Sequence, residues 1–180
     1  MLVKNCDVWY SEYHSEDDVK LSFKIDEVLH TEQSPFQYIQ IFKNETFGNF
    51  MVLDGYVQVT EKDEFVYHDM ITHPAMAVNP DVVEIDGAVV AACEKYLPTM
   101  SSVYKKEPRL NLMIEDGLKF VAEAADASYD LILVDSTDPA GPGEGLFTVE
   151  FYKNCYRILS DKGILINQHE GAFYAGDIEA

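Results

Sequence analysis

Basic side chains are scarce in this chain. Thirteen lysines and arginines face 32 aspartates and glutamates over 180 residues, a formal charge of −19. Such a balance excludes the basic footprint that nucleic-acid and anionic-membrane surfaces carry, and it leaves room for a cationic ligand. Cysteine is scarce too: Cys6, Cys93 and Cys155 are far apart and form no C-x-x-C. That argues against a disulfide framework or a cysteine zinc site and fits a reducing cytosol. No apolar run approaches the length of about 20 residues that spans a bilayer. The N-terminal stretch "MLVKNCDVWYSEYHSEDD" has neither an apolar core nor an Arg-rich amphipathic pattern, so no targeting segment is expected. The expectation is a cytoplasmic protein with no nucleic-acid and no membrane partner.

Hydrophobic content of 47% and charged content of 25% are ordinary for a globular chain of one sizeable core. Two textures divide it. Residues 1–60 carry β-branched and aromatic residues in short runs, "KLSFKIDEVLH", "QYIQIF" and "NFMVLDGYVQVT", with turns expected at Gly48 and Asn49 and at Asp54 and Gly55. This pattern predicts antiparallel hairpins. Thr60, with Asp63 three residues on, resembles a capping box and opens a helix that Pro74 should kink or end. In residues 61–180 strands alternate with helices: "DVVEI" then "GAVVAACEKYL", "RLNLMI" then "GLKFVAEAA", "YDLILV" then a loop and "TVEFYKNCYRIL", and finally "GILINQ". Asp161, Lys162 and Gly163 read as a helix-to-strand turn. The order predicts α/β architecture, a doubly wound, mainly parallel sheet preceded by a small antiparallel β domain.

Ligands of open α/β sheets bind outside the carboxyl ends of the strands. Three successive strands run into acid there: Glu84 and Asp86, Glu115 and Asp116, Asp135 and Asp138. Asp86 and Asp116 can equally cap the helices that follow. Glu84, after a strand, can accept both hydroxyls of a ribose. Asp116 can accept from the exocyclic amine of adenine, with Gly117 admitting the flat ring. The segment after Asp135 and Asp138 holds Pro139, Gly141, Pro142, Gly143 and Gly145 and is expected to be a lid or ligand clamp. No metal is expected, because these carboxylates lack a His at ligand spacing and His68 and His73 share no helix face.

The stretch "DSTDPAGPGEGLFTVEFY" resembles the active-site loop of the polyamine aminopropyltransferases, and "FGNFMVLDGYVQVTEKDEFVYHDM" resembles that family's second signature, with Asp69 in place of the usual Glu. "HTEQSPFQ", "EIDGAVVAACEKYLP" and "EDGLKFV" follow in the same order, so the likeness runs from Trp9 to about Glu170. The resemblance implies a Rossmann-like, class I methyltransferase-like fold. It implies transfer of an aminopropyl group from decarboxylated S-adenosylmethionine, a co-substrate, to putrescine, without metal or prosthetic group, in a homodimer or homotetramer assembled through the β domain. Asp135 would accept the proton; Tyr67, His68 and Asp138 would hold the diamine; Gln37, Glu84, Asp116, Gly117 and Pro142 would contact the nucleoside. Other amine acceptors, methyl transfer to putrescine, and an inactive nucleoside- or polyamine-binding homologue are the alternatives.

The chain departs from that family in one large feature. The family sets a strand and a loop, G-G-G-D-G-G, ahead of the E-I-D strand, whereas here "HPAMAVNP" runs straight into "DVVEID". Losing that strand should expose its neighbours. The expectation is that Pro80 and Asp81 are not neighbours in the intact protein, and that C-terminal strands beyond Ala180 are likewise missing. "INQHEGAFYAGD" also departs from the usual Q-G-E-S pattern, although Gln168 and Glu170 keep the expected types.

Overall fold

The computed structural model of the chain describes residues 7–14, 19–68, 81–136 and 141–168. These divide into two compact units, one formed by Met1–Asp69 with Ala88–Glu107 and the other by Met70–Gly87 with Pro108–Ala180.

In the first unit β1 (Val8–His14) and β2 (Val19–Ile25) form an antiparallel ribbon. Strands β3 (Glu27–Gln33), β4 (Tyr38–Asn44), β5 (Gly48–Leu53) and β6 (Tyr56–Thr60) form an antiparallel sheet in sequence order. Alternation along a strand sends successive side chains to opposite faces. Ile39 and Ile41 of β4 and Met51 and Leu53 of β5 therefore share one face, and there they bury Ala92 and Leu97. Ala92 belongs to helix α1 (Gly87–Tyr96), and Leu97 joins it to α2 (Pro98–Lys106). Phe42, Phe50 and Val52 point the other way and pack with Phe23 of the ribbon. Burial on both faces explains why β5 reads as an unbroken apolar run, with Phe50 and Val52 fully buried.

Turn chemistry sets the register. Asp54 and Gly55 both have positive φ, 48° and 99°, and Leu53 pairs with Tyr56 across them, as in a two-residue hairpin of type I′. The expected turn at Gly48 and Asn49 falls slightly earlier. Asn44 Oδ1 accepts from the backbone N–H groups of Thr46 and Phe47 at 2.8 and 2.9 Å, so the chain turns over residues 45–47 and Gly48 already pairs in β5. The expected run "KLSFKIDEVLH" is likewise two strands, broken at Asp26.

The second unit holds the parallel pairs predicted from the alternation of strand and helix. Strand β7 (Asp81–Glu84) pairs with β8 (Asn111–Ile114), and β9 (Tyr129–Val134) pairs with β10 (Leu159–Asn167). Among the described residues these remain two separate two-stranded sheets. Asp81, the first residue of β7, touches the starts of two other strands: its carboxylate accepts from Asn111 Nδ2 at 3.2 Å and from the Tyr129 hydroxyl at 3.0 Å. Helix α3 (Gly117–Glu123), a 3₁₀ helix (Gly141–Phe147) and α4 (Val149–Ile158) complete the unit. Its core is Val121, Val134, Phe151, Cys155 and Ile158. Asp161, Lys162 and Gly163 do not form the expected turn. They lie inside β10, where the register shifts between Leu159 and Ile164, because the extra residues are absorbed as an irregularity of the strand. The helix-ending role expected of Pro74 and the junction at Pro80 lie outside the described residues.

Candidate functional site

In the first unit the chain leaves β6 through a cap. Thr60 Oγ1 donates to Asp63 Oδ1 at 2.6 Å, and residues 64–68 are helical. One turn of helix brings residues i and i+4 together, so His68 Nδ1 meets Glu64 Oε2 at 2.6 Å. Tyr67 is exposed beside it, its ring 6.0 Å from the imidazole. Gln58, Val59, Asp63, Glu64, Val66, Tyr67 and His68 line a cavity of about 410 Å³. Gln37 sits apart, in the β3–β4 connection. There Ser34 Oγ accepts from the backbone N–H groups of Phe36 and Gln37, both at 3.0 Å, which fixes the backbone around Gln37.

In the second unit the acids occupy strand ends as the sequence predicts. Glu84 closes β7 in register with Ile114, and the pairing continues as Glu115 N–H donates to Glu84 O at 3.0 Å. Asp116 therefore lies on the same rim as Glu84, two residues past the end of β8. Burial pushes the Glu84 carboxyl above its ordinary value, with Asp86 adding to the rise; backbone N–H bonds, including that of Asp86 at 2.8 Å, work against it. Asp116 caps α3 by accepting from Leu118 N–H at 2.8 Å. The capping reading thus holds for Asp116, and one carboxylate oxygen suffices for it. Asp86 is fully buried.

The glycine-rich loop returns to this rim. A Cβ at Gly145 would stand 2.4 Å from Leu118 Cδ1, and one at Gly117 would stand 3.9 Å from Leu146 Cδ2. The 3₁₀ helix that contains Pro142 thus packs against the start of α3, next to Asp116 and Gly117. Asp135 follows β9 directly and is exposed. Just before it the parallel pairing with β10 still holds, because Gln168 N–H donates to Val134 O at 2.9 Å. Asp138, and the side chain of Pro142, lie outside the described residues, as does His73.

Several polar groups near these sites escaped the sequence reading. Glu64 shares its cavity with the predicted Tyr67 and His68; its signals were the i, i+4 spacing to His68 and its place inside the second signature stretch. Asn167 Nδ2 donates to the Tyr152 hydroxyl at 2.7 Å, while Asn167 Oδ1 and Ser136 Oγ are buried without a hydrogen-bond partner. A buried polar atom left unpaired costs about 1–3 kcal/mol. No group of three or more His, Cys, Asp or Glu is placed to hold a metal among the described residues, and no helix among them is long and apolar enough to cross a membrane.

Comparison with known proteins adds to this geometry. Residues 65–178 match the spermine/spermidine synthase domain, and residues 8–61 match the spermidine synthase tetramerisation domain. A polyamine aminopropyltransferase of Clostridium acetobutylicum is 52% identical over 93% of this chain and 68% of its own length. One from Clostridium botulinum is 50% identical over the same shares. The first alignment runs over 196 positions but takes in only 93% of the 180 residues here, so the relative carries residues inside the matched span that have no counterpart. Among solved structures, a spermidine synthase in complex with the transition-state analogue AdoDATO superposes with a TM-score of 0.83 at 34% identity, covering 93% of this chain and 67% of that one. The spermidine synthase of Thermotoga maritima gives 0.80 at 34% identity over 93% and 66%.

Proposed function

Because this chain belongs to the spermine/spermidine synthase family, as its matched domains and its aminopropyltransferase relatives establish, we propose that it transfers an aminopropyl group from decarboxylated S-adenosylmethionine to putrescine, giving spermidine and methylthioadenosine. In that reaction the amine nitrogen forms a bond to the carbon beside the sulfonium. The carbon–sulfur bond breaks, its electron pair neutralises the sulfur, and the amine gives up a proton. An ammonium has no lone pair to attack with, so a carboxylate that orients the amine and takes its proton accelerates the step. Asp135 is the residue for this task. Tyr67, His68 and Asp138 hold the diamine, and Gln37, Glu84, Asp116, Gly117 and Pro142 hold the nucleoside. Both substrates are cationic, and acidic side chains offset the repulsion between them.

The observation that carries this reading is the placement of Asp135. It stands at the carboxyl end of β9, at the head of a loop whose 3₁₀ helix returns to the Asp116 and Gly117 rim. The test is a methylthioadenosine assay with decarboxylated S-adenosylmethionine and a panel of amines. Putrescine should be the preferred acceptor, and Asp135→Asn should lower kcat at least about 100-fold, the scale of general-base catalysis. Full activity in Asp135→Asn would refute the mechanism. Preference for spermidine would make the protein a spermine or thermospermine synthase, and methyl transfer from S-adenosylmethionine would make it a putrescine N-methyltransferase.

A second reading rests on the residues that the matched relatives have and this chain lacks. A segment between Pro80 and Asp81 that carries a nucleoside-cradling loop is the expected location. If it is absent from the intact protein, the chain is an inactive nucleoside- or polyamine-binding homologue, and the assay should give no product while putrescine still binds. Under either reading the β domain drives assembly into a homodimer or homotetramer.

A further inference from the structure

The cavity in the first unit contains an acid that the proposed roles leave unused. Glu64 lies one helical turn before His68, both side chains are partly buried, and Glu64 Oε2 stands 2.6 Å from His68 Nδ1. An ionised carboxylate can only accept a hydrogen bond, so the proton in this contact belongs to Nδ1. In a neutral imidazole with Nδ1 protonated, Nε2 is the acceptor atom. A carboxylate on one ring nitrogen sets the tautomer and orientation in which the other works, as carboxylates do behind histidines that bind metals.

We propose that Glu64 is a positioning residue for the amine acceptor: by holding the Nδ1–H tautomer of His68, it makes Nε2 a hydrogen-bond acceptor for an amine N–H. The opposite tautomer, Nε2–H, would turn a donor toward a donor and lose the contact. Backbone geometry supports the assignment independently. The i, i+4 spacing within residues 64–68 and the Thr60–Asp63 cap set where Glu64 and His68 sit on the helix, so the pair is built into the element. The proposal rests on the diamine-binding role given above to Tyr67 and His68.

Two measurements separate the pieces. The first is long-range ¹H–¹⁵N spectroscopy of histidine-labelled protein at a pH where the ring is neutral, with His68 assigned from His68→Gln. Wild type should show a protonated Nδ1 and an unprotonated Nε2. Glu64→Gln, which keeps an acceptor oxygen, should preserve that pattern, and Glu64→Ala should shift the ring toward Nε2–H. The second is the putrescine dissociation constant and KM. Glu64→Ala should raise both about tenfold with the nucleoside KM unchanged, and Glu64→Gln should recover most of the loss. An Nε2–H ring in wild type, an unshifted ring in Glu64→Ala, or a shifted ring with unaltered putrescine affinity would each overturn the proposal. Wild-type protein that does not bind putrescine defeats the diamine reading instead, while the spectra still decide whether Glu64 sets the ring.

Discussion

The Glu84 carboxyl pays for its place on the rim in solvation, since burial raises its affinity for a proton above that of an exposed glutamate. The folded state therefore holds this proton to a higher pH than the unfolded chain does. Its contribution to stability is present below the ordinary value of 4.5 and is lost as the pH rises from there through the folded value. Glu84→Gln should flatten that part of the stability profile, read by thermal melts at pH values from 4.5 upward, and should also raise the nucleoside KM. An unchanged profile would mean that burial costs this group nothing. Cys155 makes a parallel case: burial pushes its thiol up to about 11. At pH 8 about one thiol in a thousand is ionised at such a value, so Cys155 should resist iodoacetamide until the protein is unfolded by urea. Rapid labelling of the native protein would contradict its burial.

At the scale of elements, short helices here depend on their neighbours. Helix α3 has seven residues, too few to persist alone. Arg157 of α4 binds its C-terminal end, donating to the carbonyls of Val121 at 2.8 Å, Ala122 at 3.0 Å and Ala124 at 2.8 Å and pairing with Asp126. A guanidinium there satisfies orphan carbonyls and complements the negative end of the helix dipole. Arg157→Ala should cost about 2–3 kcal/mol in urea unfolding, on the scale of charged hydrogen bonds. Arg157→Lys should recover only part of that, since one ammonium cannot reproduce the planar fork. In the β3–β6 sheet, Ile41 is fully buried against α1 and α2, and Ile41→Ala should cost about 2–5 kcal/mol. A smaller loss would show that the two helices close over the cavity.

For the whole molecule, assembly is the property to measure. A chain of 20.4 kDa that forms a dimer or tetramer should elute at two or four times that mass in light scattering, and a monomer would refute the proposed assembly. With 19 net negative charges on each copy, added salt should favour association by screening their repulsion.

Much of this protein was legible in its sequence because the signals are local. Period-two alternation marked the hairpins, Asp54 and Gly55 marked a turn that demands positive φ, and the acids at or just past the strand ends were marked as well: Glu84 and Asp116 beside one parallel pair, Asp135 after β9. The loop from Asp135 to Phe147 identified the family by residue types at fixed spacing. Other features came from distant residues and had no local trace. Nothing in "GAVVAACEKYL" says that α1 should pack on Ile39, Ile41, Met51 and Leu53, because an apolar helical face suits any apolar sheet of matching shape. The division of β7–β8 from β9–β10 depends on which backbone edges meet. The proton preference of Glu84 depends on how little water reaches it. The sequence determined the kinds of element and the chemistry at their ends; tertiary packing decided which faces met, and so which polar groups were stripped of solvent.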